Sequence, residues 1–247
     1  MLYYAMLLSI IMPLFNEEKT AGKIIEEVLA LPLDLELIIV NNGSDDATGM
    51  IIRQFGDFTN VKIIDKEMNI GKGDAIIDGL KLAVGKYTVI QDGDLEYDPN
   101  DLVTMVNLAE KNQVMAVFGS RILNPSSGIS YQRYLWGGKL LTKVANFLFP
   151  VGISDESTCY KMVRTDIMKQ LNLECRRFEF CPELVAKLGR NHIKIWETPI
   201  TYRPRKFEEG KKIRWIDGIE AIWTLLKYRF KPLSGFVVKK QQKPQSD

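Results

Sequence analysis

The residues in this sequence best suited to chemistry are Asp92-Gly93-Asp94, directly after the apolar run Tyr87–Ile90. Two carboxylates flanking a glycine at a strand end can share a hard divalent cation, Mg²⁺ or Mn²⁺, whose remaining positions go to substrate phosphate oxygens. Gly93 lets the backbone come close to a ligand, and Glu96 could supply a third oxygen. A plain polar turn accounts for the same pattern, since D-x-D is common. A second candidate is Asn69-Ile70-Gly71-Lys72-Gly73, which opens a helical run over Asp74–Val84. Backbone N–H groups at a helix start, with Lys72 adding charge, suit a phosphate or a carboxylate. The loop is not a Walker loop, because Lys72 is followed by Gly73 rather than Ser or Thr. A tight turn with a solvated lysine is the plain alternative.

Elements must place these groups. Leu7–Met12, Leu35–Val40, Val61–Asp65, Tyr87–Gln91 and Val114–Phe118 read as short apolar strands. Between them, Thr20–Leu31, Met50–Phe55 and Asp74–Val84 show helical spacing. This alternation predicts an α/β fold with a doubly wound, mainly parallel sheet. Ligands of such sheets bind beyond the carboxyl ends of the strands. Those ends here are Asn16-Glu17, Asn41-Asn42 and Asp92-Gly93-Asp94. The second half is less regular. Gly137–Phe149 and Pro182–Leu188 read as helices, Asp155–Val163 as a strand with its approach, and Lys194–Tyr202 as a strand. A basic loop, Arg203–Lys212, precedes an amphipathic helix from Trp215 to about Tyr228.

Composition narrows the function classes. With 247 residues, about one or two domains are expected. Lys plus Arg total 33 against 31 acidic residues, and this balance supplies no basic field for nucleic acid. The hydrophobic fraction of 46% excludes disordered and disulfide-scaffold classes. Cys159, Cys175 and Cys181 form no C-x-x-C pair, and His192 is the single histidine, so no zinc cluster can be assembled. A reducing, cytoplasmic setting is the natural expectation. Met1–Phe15 is apolar but lacks a basic leading segment and a cleavage site, and reads as a buried strand.

Taken together, Met12-Pro13-Leu14-Phe15-Asn16-Glu17-Glu18, Val40-Asn41-Asn42-Gly43-Ser44, Asn69-x-Gly71-Lys72-Gly73, Asp92-Gly93-Asp94 and Gly119-Ser120-Arg121 resemble, in order and spacing, the family 2 glycosyltransferases of the GT-A fold. The resemblance spans roughly residues 6–230 and is nearest the dolichyl-phosphate mannose synthase branch, whose members move a sugar from a nucleotide to a polyprenyl phosphate. It implies that Pro13, Phe15 and Glu17 line the nucleotide pocket, with Val40 and Asn42 against base and ribose. It further implies that Asp92, Gly93 and Asp94 meet ribose, diphosphate and metal. Glu96 stands where the mannose synthases carry a metal-binding glutamine, and Arg121 and Arg133 align with arginines that hold the acceptor phosphate. Arg205, Lys211 and Lys212 correspond to a basic loop closing over the donor diphosphate. This chain departs from the family's Val-Asp-Asp-Gly-Ser, since both aspartates are amides here, Asn41 and Asn42. The donor nucleoside, uridine or guanosine, is therefore open.

The implied reaction is a single inverting displacement at the anomeric carbon. A lipid phosphate, with a second pKa near ~6, attacks without a base; an alcohol acceptor needs one, and Asp155 and Glu183 are the candidates. A soluble transferase acting on a glycan hydroxyl and a decayed sugar-nucleotide binding protein are the competing readings. Residues 1–213 are expected to form the transferase domain, 214–238 a helix and basic segment, and 239–247 a disordered tail. In that helix Ile219, Ile222, Trp223 and Leu226 form a stripe, followed by Lys227, Arg229 and Lys231. The simpler expectation is that the stripe packs on the domain. Otherwise it lies on an anionic membrane, as a peripheral contact at the cytoplasmic face.

Overall fold

The computed structural model describes residues 7–128, 132–205 and 215–232. The expected tail and most of the basic loop, with Lys211 and Lys212, lie outside the described residues. The elements run β1 (Leu8–Leu14), α1 (Ala21–Leu29), β2 (Leu35–Asn42), α2 (Thr48–Arg53), β3 (Val61–Lys66), α3 (Lys72–Leu82), β4 (Tyr87–Ile90) and α4 (Asp101–Asn112). There follow β5 (Ala116–Ser120), α5 (Gln132–Leu148), β6 (Lys161–Arg164), α6 (Thr165–Gln170), α7 (Phe180–Arg190), β7 (Ile195–Pro199) and α8 (Trp215–Phe230). One seven-stranded sheet takes the order β3-β2-β1-β4-β6-β5-β7. All neighbours are parallel except β6, which is antiparallel to both β4 and β5.

The parallel half follows from composition. β2 is buried along its whole length and β1 at every position but Pro13, as strands covered on both faces must be. Their apolar side chains join one core with Ile24, Ile25 and Val28 of α1 and Ala75, Ile76 and Leu80 of α3. Each such side chain contributes about 1.5–3 kcal/mol on burial. At the amino ends of the strands, the sealed Glu36 carboxylate accepts from Ser9 Oγ (2.6 Å), Val84 N (2.7 Å) and Lys62 Nζ (2.7 Å). That knot ties β1, β2 and the turn before β4 together, away from the carboxyl ends where ligands bind.

Two helices escape the sequence reading. α4 carries Leu102, Met105, Val106 and Ala109 inward at helical spacing, a legible pattern. α6 has six residues, too few for a periodicity. The expected strand at Asp155–Val163 shrinks to Lys161–Arg164, because the approach carries site residues rather than ladder pairs. α3 starts two residues earlier than expected, with Lys72 inside its first turn.

Candidate active site

β1, β2 and β4 are adjacent and parallel, so the loops after them meet at one edge. Gly93 sits there, where a Cβ would lie 2.2 Å from Leu14 Cδ2 and a larger residue would require the Leu14 side chain to shift. On its two sides the aspartates face different cations. Lys72 Nζ lies 2.5 Å from Asp92 Oδ1 and 3.7 Å from Cys159 Sγ. Burial disfavours both charges, yet the pairing prevails: Lys72 is held well above its ordinary range and Asp92 below its own. Asp94 pairs with Arg205, whose Nη2 is 2.9 Å from Oδ2. Burial, then the like charges of Asp92 and Glu96, push the Asp94 carboxyl up to about 6 in spite of that pairing. Arg205 also reaches Glu17, with Nη1 3.2 Å from Oε2 and Nη2 3.3 Å from Oε1.

This crowding of carboxylates fits a divalent cation at Asp92 and Asp94, the type of site that completes its shell with phosphate oxygens. The expected third donor is a correction. Glu96 is buried and spends Oε2 on Tyr202 Oη (2.7 Å) and Oε1 on Arg205 N (2.8 Å). Among the described residues no group of three or more His, Cys, Asp or Glu side chains is arranged to hold a metal ion.

The glycine loop is a second correction. Gly73 N donates to Arg177 O (2.9 Å) and Asp74 N to Arg176 O (3.0 Å), so these helix-start N–H groups serve the chain, not a phosphate. Gly71 has φ 137°, and a Cβ there would meet Arg176 O at 2.3 Å. The glycines make room for the 175–177 segment, and Lys72 alone is turned to the site.

At the end of β2, Asn41 is a turn residue: Nδ2 donates to Asp65 Oδ1 (2.8 Å), while Oδ1 accepts from Ser44 N (3.3 Å). Asn42 Nδ2 donates to Asn69 Oδ1 (2.8 Å), and its buried Oδ1 has no partner among the described residues. A buried acceptor left open in this way suits a ligand N–H or hydroxyl. Val40 does not line the pocket with its side chain, which is sealed against α3, with Cγ2 3.4 Å from where Gly79 would bear a Cβ. Pro13, Phe15 and Glu17 are half-buried at the β1 exit.

On the acceptor side, Arg121 and Asp155 form a bidentate pair, Nε–Oδ2 2.7 Å and Nη2–Oδ1 2.8 Å, with the Arg121 N–H also on Oδ2 at 3.1 Å. Burial would raise the Asp155 carboxyl, but Arg121 holds it below its ordinary range. A carboxylate so engaged is a poor base, which corrects the first of the two base candidates. Arg121 also lies over the Tyr202 ring at 5.0 Å. Arg133 falls in α5, but its side chain is outside the described residues. Sequence reasoning missed Tyr202, which touches both Arg121 and Glu96 and joins the two halves of the site. Its partners lie 80 to more than 100 residues away, so no local spacing pointed to it.

Glu183 is the remaining base candidate, and its surroundings argue otherwise. Fully buried, its Oε1 accepts from Glu174 N (2.8 Å), Lys187 Nζ (2.6 Å) and Tyr228 Oη (2.8 Å). It anchors α8 to α7. Tyr228→Phe is expected to lower unfolding stability by about 1.5–3 kcal/mol, the range for a lost hydrogen bond to a charged group. An unchanged urea midpoint in that variant would contradict the anchoring role.

The glycosyl transferase family 2 model matches residues 9–171, which include every β1–β6 site residue above. The chain is 28% identical over 240 residues to a dodecaprenyl-phosphate galacturonate synthase of Rhizobium johnstonii, covering 91% of this chain and 69% of that protein. It is 27% identical over 239 residues to a dolichyl-phosphate beta-glucosyltransferase of Trichomonas vaginalis, covering 89% and 72%. Among solved structures, glucosyl-3-phosphoglycerate synthase from Mycobacterium tuberculosis, in complex with Mn²⁺, UDP and phosphoglyceric acid, superposes with a TM-score of 0.67. That match has 19% identity and covers 94% of this chain and 81% of the other, a likeness of fold. Sheet order, the paired aspartates at the β4 exit and these matches agree: the chain belongs to glycosyl transferase family 2 and is a glycosyltransferase of the GT-A fold.

Proposed function

We propose that the protein transfers a sugar from a GDP- or UDP-sugar to a polyprenyl phosphate with inversion, working as a peripheral protein on the cytoplasmic face of a membrane. The observation that carries this reading is the state of the two carboxylates an alcohol acceptor would need. Asp155 is spent on Arg121 and Glu183 on the α7–α8 junction. Glu156, beside Asp155, and Glu183 each keep one oxygen without a partner among the described residues, but both side chains are sealed from solvent at 0% exposure. A phosphate monoester needs none of them, being largely ionised at neutral pH. Its oxygen attacks the anomeric carbon, the bond from that carbon to the donor diphosphate breaks, and the nucleoside diphosphate departs. Arg121, fixed by Asp155 and Tyr202, would position the attacking phosphate, with Arg133 as the second arginine. Mg²⁺ or Mn²⁺ at Asp92 and Asp94 would neutralise charge on the diphosphate. Lys72, Arg205 and the Lys211/Lys212 segment would add positive charge on the same side. Asn42 Oδ1 would accept from the nucleoside.

The outer faces of α5 and α8 support a lipid acceptor. Three residues of the α8 stripe, Ile219, Trp223 and Leu226, are turned outward, contrary to the simpler expectation, while Ile222 packs against the core. Ala221, Leu225 and Tyr228 face the protein, whereas Trp223 is 66% and Phe230 80% exposed, with Ile219 and Leu226 on the same face. Beside it, α5 exposes Trp136 (71%), Leu140 and Phe147 (88%). α5 holds Arg133, Lys139 and Lys143 and no acidic residue, and Lys227, Arg229 and Lys231 gather at the end of α8. Aromatic and apolar groups flanked by lysines and arginines suit an anionic bilayer surface. A second copy would bring these like charges together. Among the described residues no helix is long and apolar enough to cross a membrane. We read residues 1–213 as the transferase unit and the α8 segment as part of this lipid-facing surface.

A transfer screen tests the reading. Radiolabelled UDP- and GDP-sugars are offered with Mg²⁺ or Mn²⁺, with and without polyprenyl phosphate. Label entering the organic phase only with the lipid is the expected outcome, and the productive donor names the nucleoside. Donor binding without any label in lipid would move the acceptor to a hydroxyl. Separately, the double variant Trp136→Ser/Trp223→Ser should bind vesicles containing anionic lipid about tenfold more weakly in co-sedimentation. Unaltered binding would remove α5 and α8 from the lipid-facing surface.

A further inference from the structure

Arg205 stands in the anionic pocket in a way its backbone does not require. The segment carrying it is held by three bonds to one residue: Arg203 N to Glu96 O (2.8 Å), Arg205 N to Glu96 Oε1 (2.8 Å) and Tyr202 Oη to Glu96 Oε2 (2.7 Å). A bridge between Tyr97 and Tyr202 and the contact of their rings at 5.2 Å add to this. None of these contacts involves the guanidinium. Among the described residues that group is attached through its two end nitrogens alone, to Asp94 and Glu17, and its buried Nε has no partner. The side chain can therefore leave the pocket by rotating its own torsions while the backbone stays in place. A divalent ion seated on Asp94 would stand close to the guanidinium that Oδ2 holds at 2.9 Å, and the two cations repel.

We propose that Arg205 is an exchangeable internal cation. It occupies the Glu17–Asp94 seat while no divalent ion is bound, and is displaced by the ion onto the donor's diphosphate. Glu96 is a positioning residue that holds the 202–205 segment over the pocket in both states, and it is not a ligand of the ion. This rests on the reading of Asp92 and Asp94 as the ion's holders and of a nucleoside diphosphate as the donor's handle. The acceptor does not enter it. The exchange would keep the pocket neutral between turnovers and deliver a freed positive charge to the diphosphate as the donor arrives.

The test is binding, measured on the full chain without acceptor. Free Mn²⁺ is followed by electron paramagnetic resonance, and UDP and GDP binding at saturating Mn²⁺ by calorimetry. If Arg205 fills its seat about nine-tenths of the time, Arg205→Ala should tighten Mn²⁺ alone about tenfold, since the competent fraction rises to one. The same variant should bind the nucleoside diphosphate more weakly. Opposite signs in one variant are the signature of exchange. Mn²⁺ affinity that is unchanged or weakened in Arg205→Ala overturns it. For Glu96, the amide of Glu96→Gln can still accept from Arg205 N and donate to the Tyr202 hydroxyl. Nucleoside diphosphate affinity is therefore expected to survive in Glu96→Gln and to fall in Glu96→Ala. Equal loss of nucleoside diphosphate affinity in Glu96→Gln and Glu96→Ala would overturn its positioning role. If neither wild type nor Arg205→Ala binds Mn²⁺, exchange and metal reading fall together. Normal Mn²⁺ and nucleotide binding with the wrong signs would sink the exchange alone.

Discussion

Asp94→Ala should lower kcat/KM for sugar transfer by about a hundred- to a thousandfold, the scale on which loss of one group stabilising developing charge is felt. Asp94 shares a half-buried corner with Asp92 and Glu96, and burial with those like charges pushes its carboxyl up to about 6. A site that makes its own carboxylate anion unfavourable is arranged for a cation to arrive. Alanine removes that demand together with the oxygen that meets it. The fold should survive, since the other roles of the Asp94 carboxylate are one bond from Glu96 N (3.1 Å) and the pairing with Arg205. Unchanged circular dichroism and melting temperature would confirm that the loss is local. Transfer with wild-type divalent dependence in Asp94→Ala would refute the placement of the ion.

Asp155→Ala is expected to act on both stability and acceptor binding. Asp155 is 3% exposed and gives both oxygens to Arg121, itself largely buried over Tyr202. Removing one partner of a buried ion pair leaves the other charge unpaired, at a cost of about 3–5 kcal/mol. The acceptor KM should rise by more than tenfold as Arg121 loses its orientation, with nucleoside diphosphate affinity nearly unchanged. Collapse of donor affinity instead would put Arg121 on the donor side. The pairing also has a pH signature. Because Arg121 lowers the folded-state pKa of Asp155, its contribution is full above the unfolded value near ~3.9 and is lost as pH falls through the folded one. The stability difference between wild type and Asp155→Asn should therefore be constant near neutrality and shrink below about pH 4.

Periodicity and local chemistry by themselves determined much of this protein. Sealed apolar runs such as Leu35–Val40 can only be inner strands of a covered sheet, and helical spacing between them forces parallel crossovers. Polar strand ends at Asn16-Glu17, Asn41-Asn42 and Asp92-Gly93-Asp94 then had to converge at one edge of the sheet. Those signals are local, set within a few residues of one another. What each polar group does inside the pocket was decided only by tertiary structure. Glu96 is two residues from Asp94 and reads as a ligand, yet its carboxylate is taken by Tyr202 and Arg205, more than 100 residues away. Gly71 and Gly73 read as a phosphate cradle, yet their neighbours across space are the Arg176 and Arg177 carbonyls. Asp155 and Glu183 read as bases, yet Arg121 claims the one and Tyr228 with Lys187 the other. The amphipathic pattern of α8 has two sides, and only packing against α5 and α7 showed that Ala221, Leu225 and Tyr228 form the inner one. A carboxylate's role is set by which cation or donor it meets, and that meeting is a long-range property of the chain.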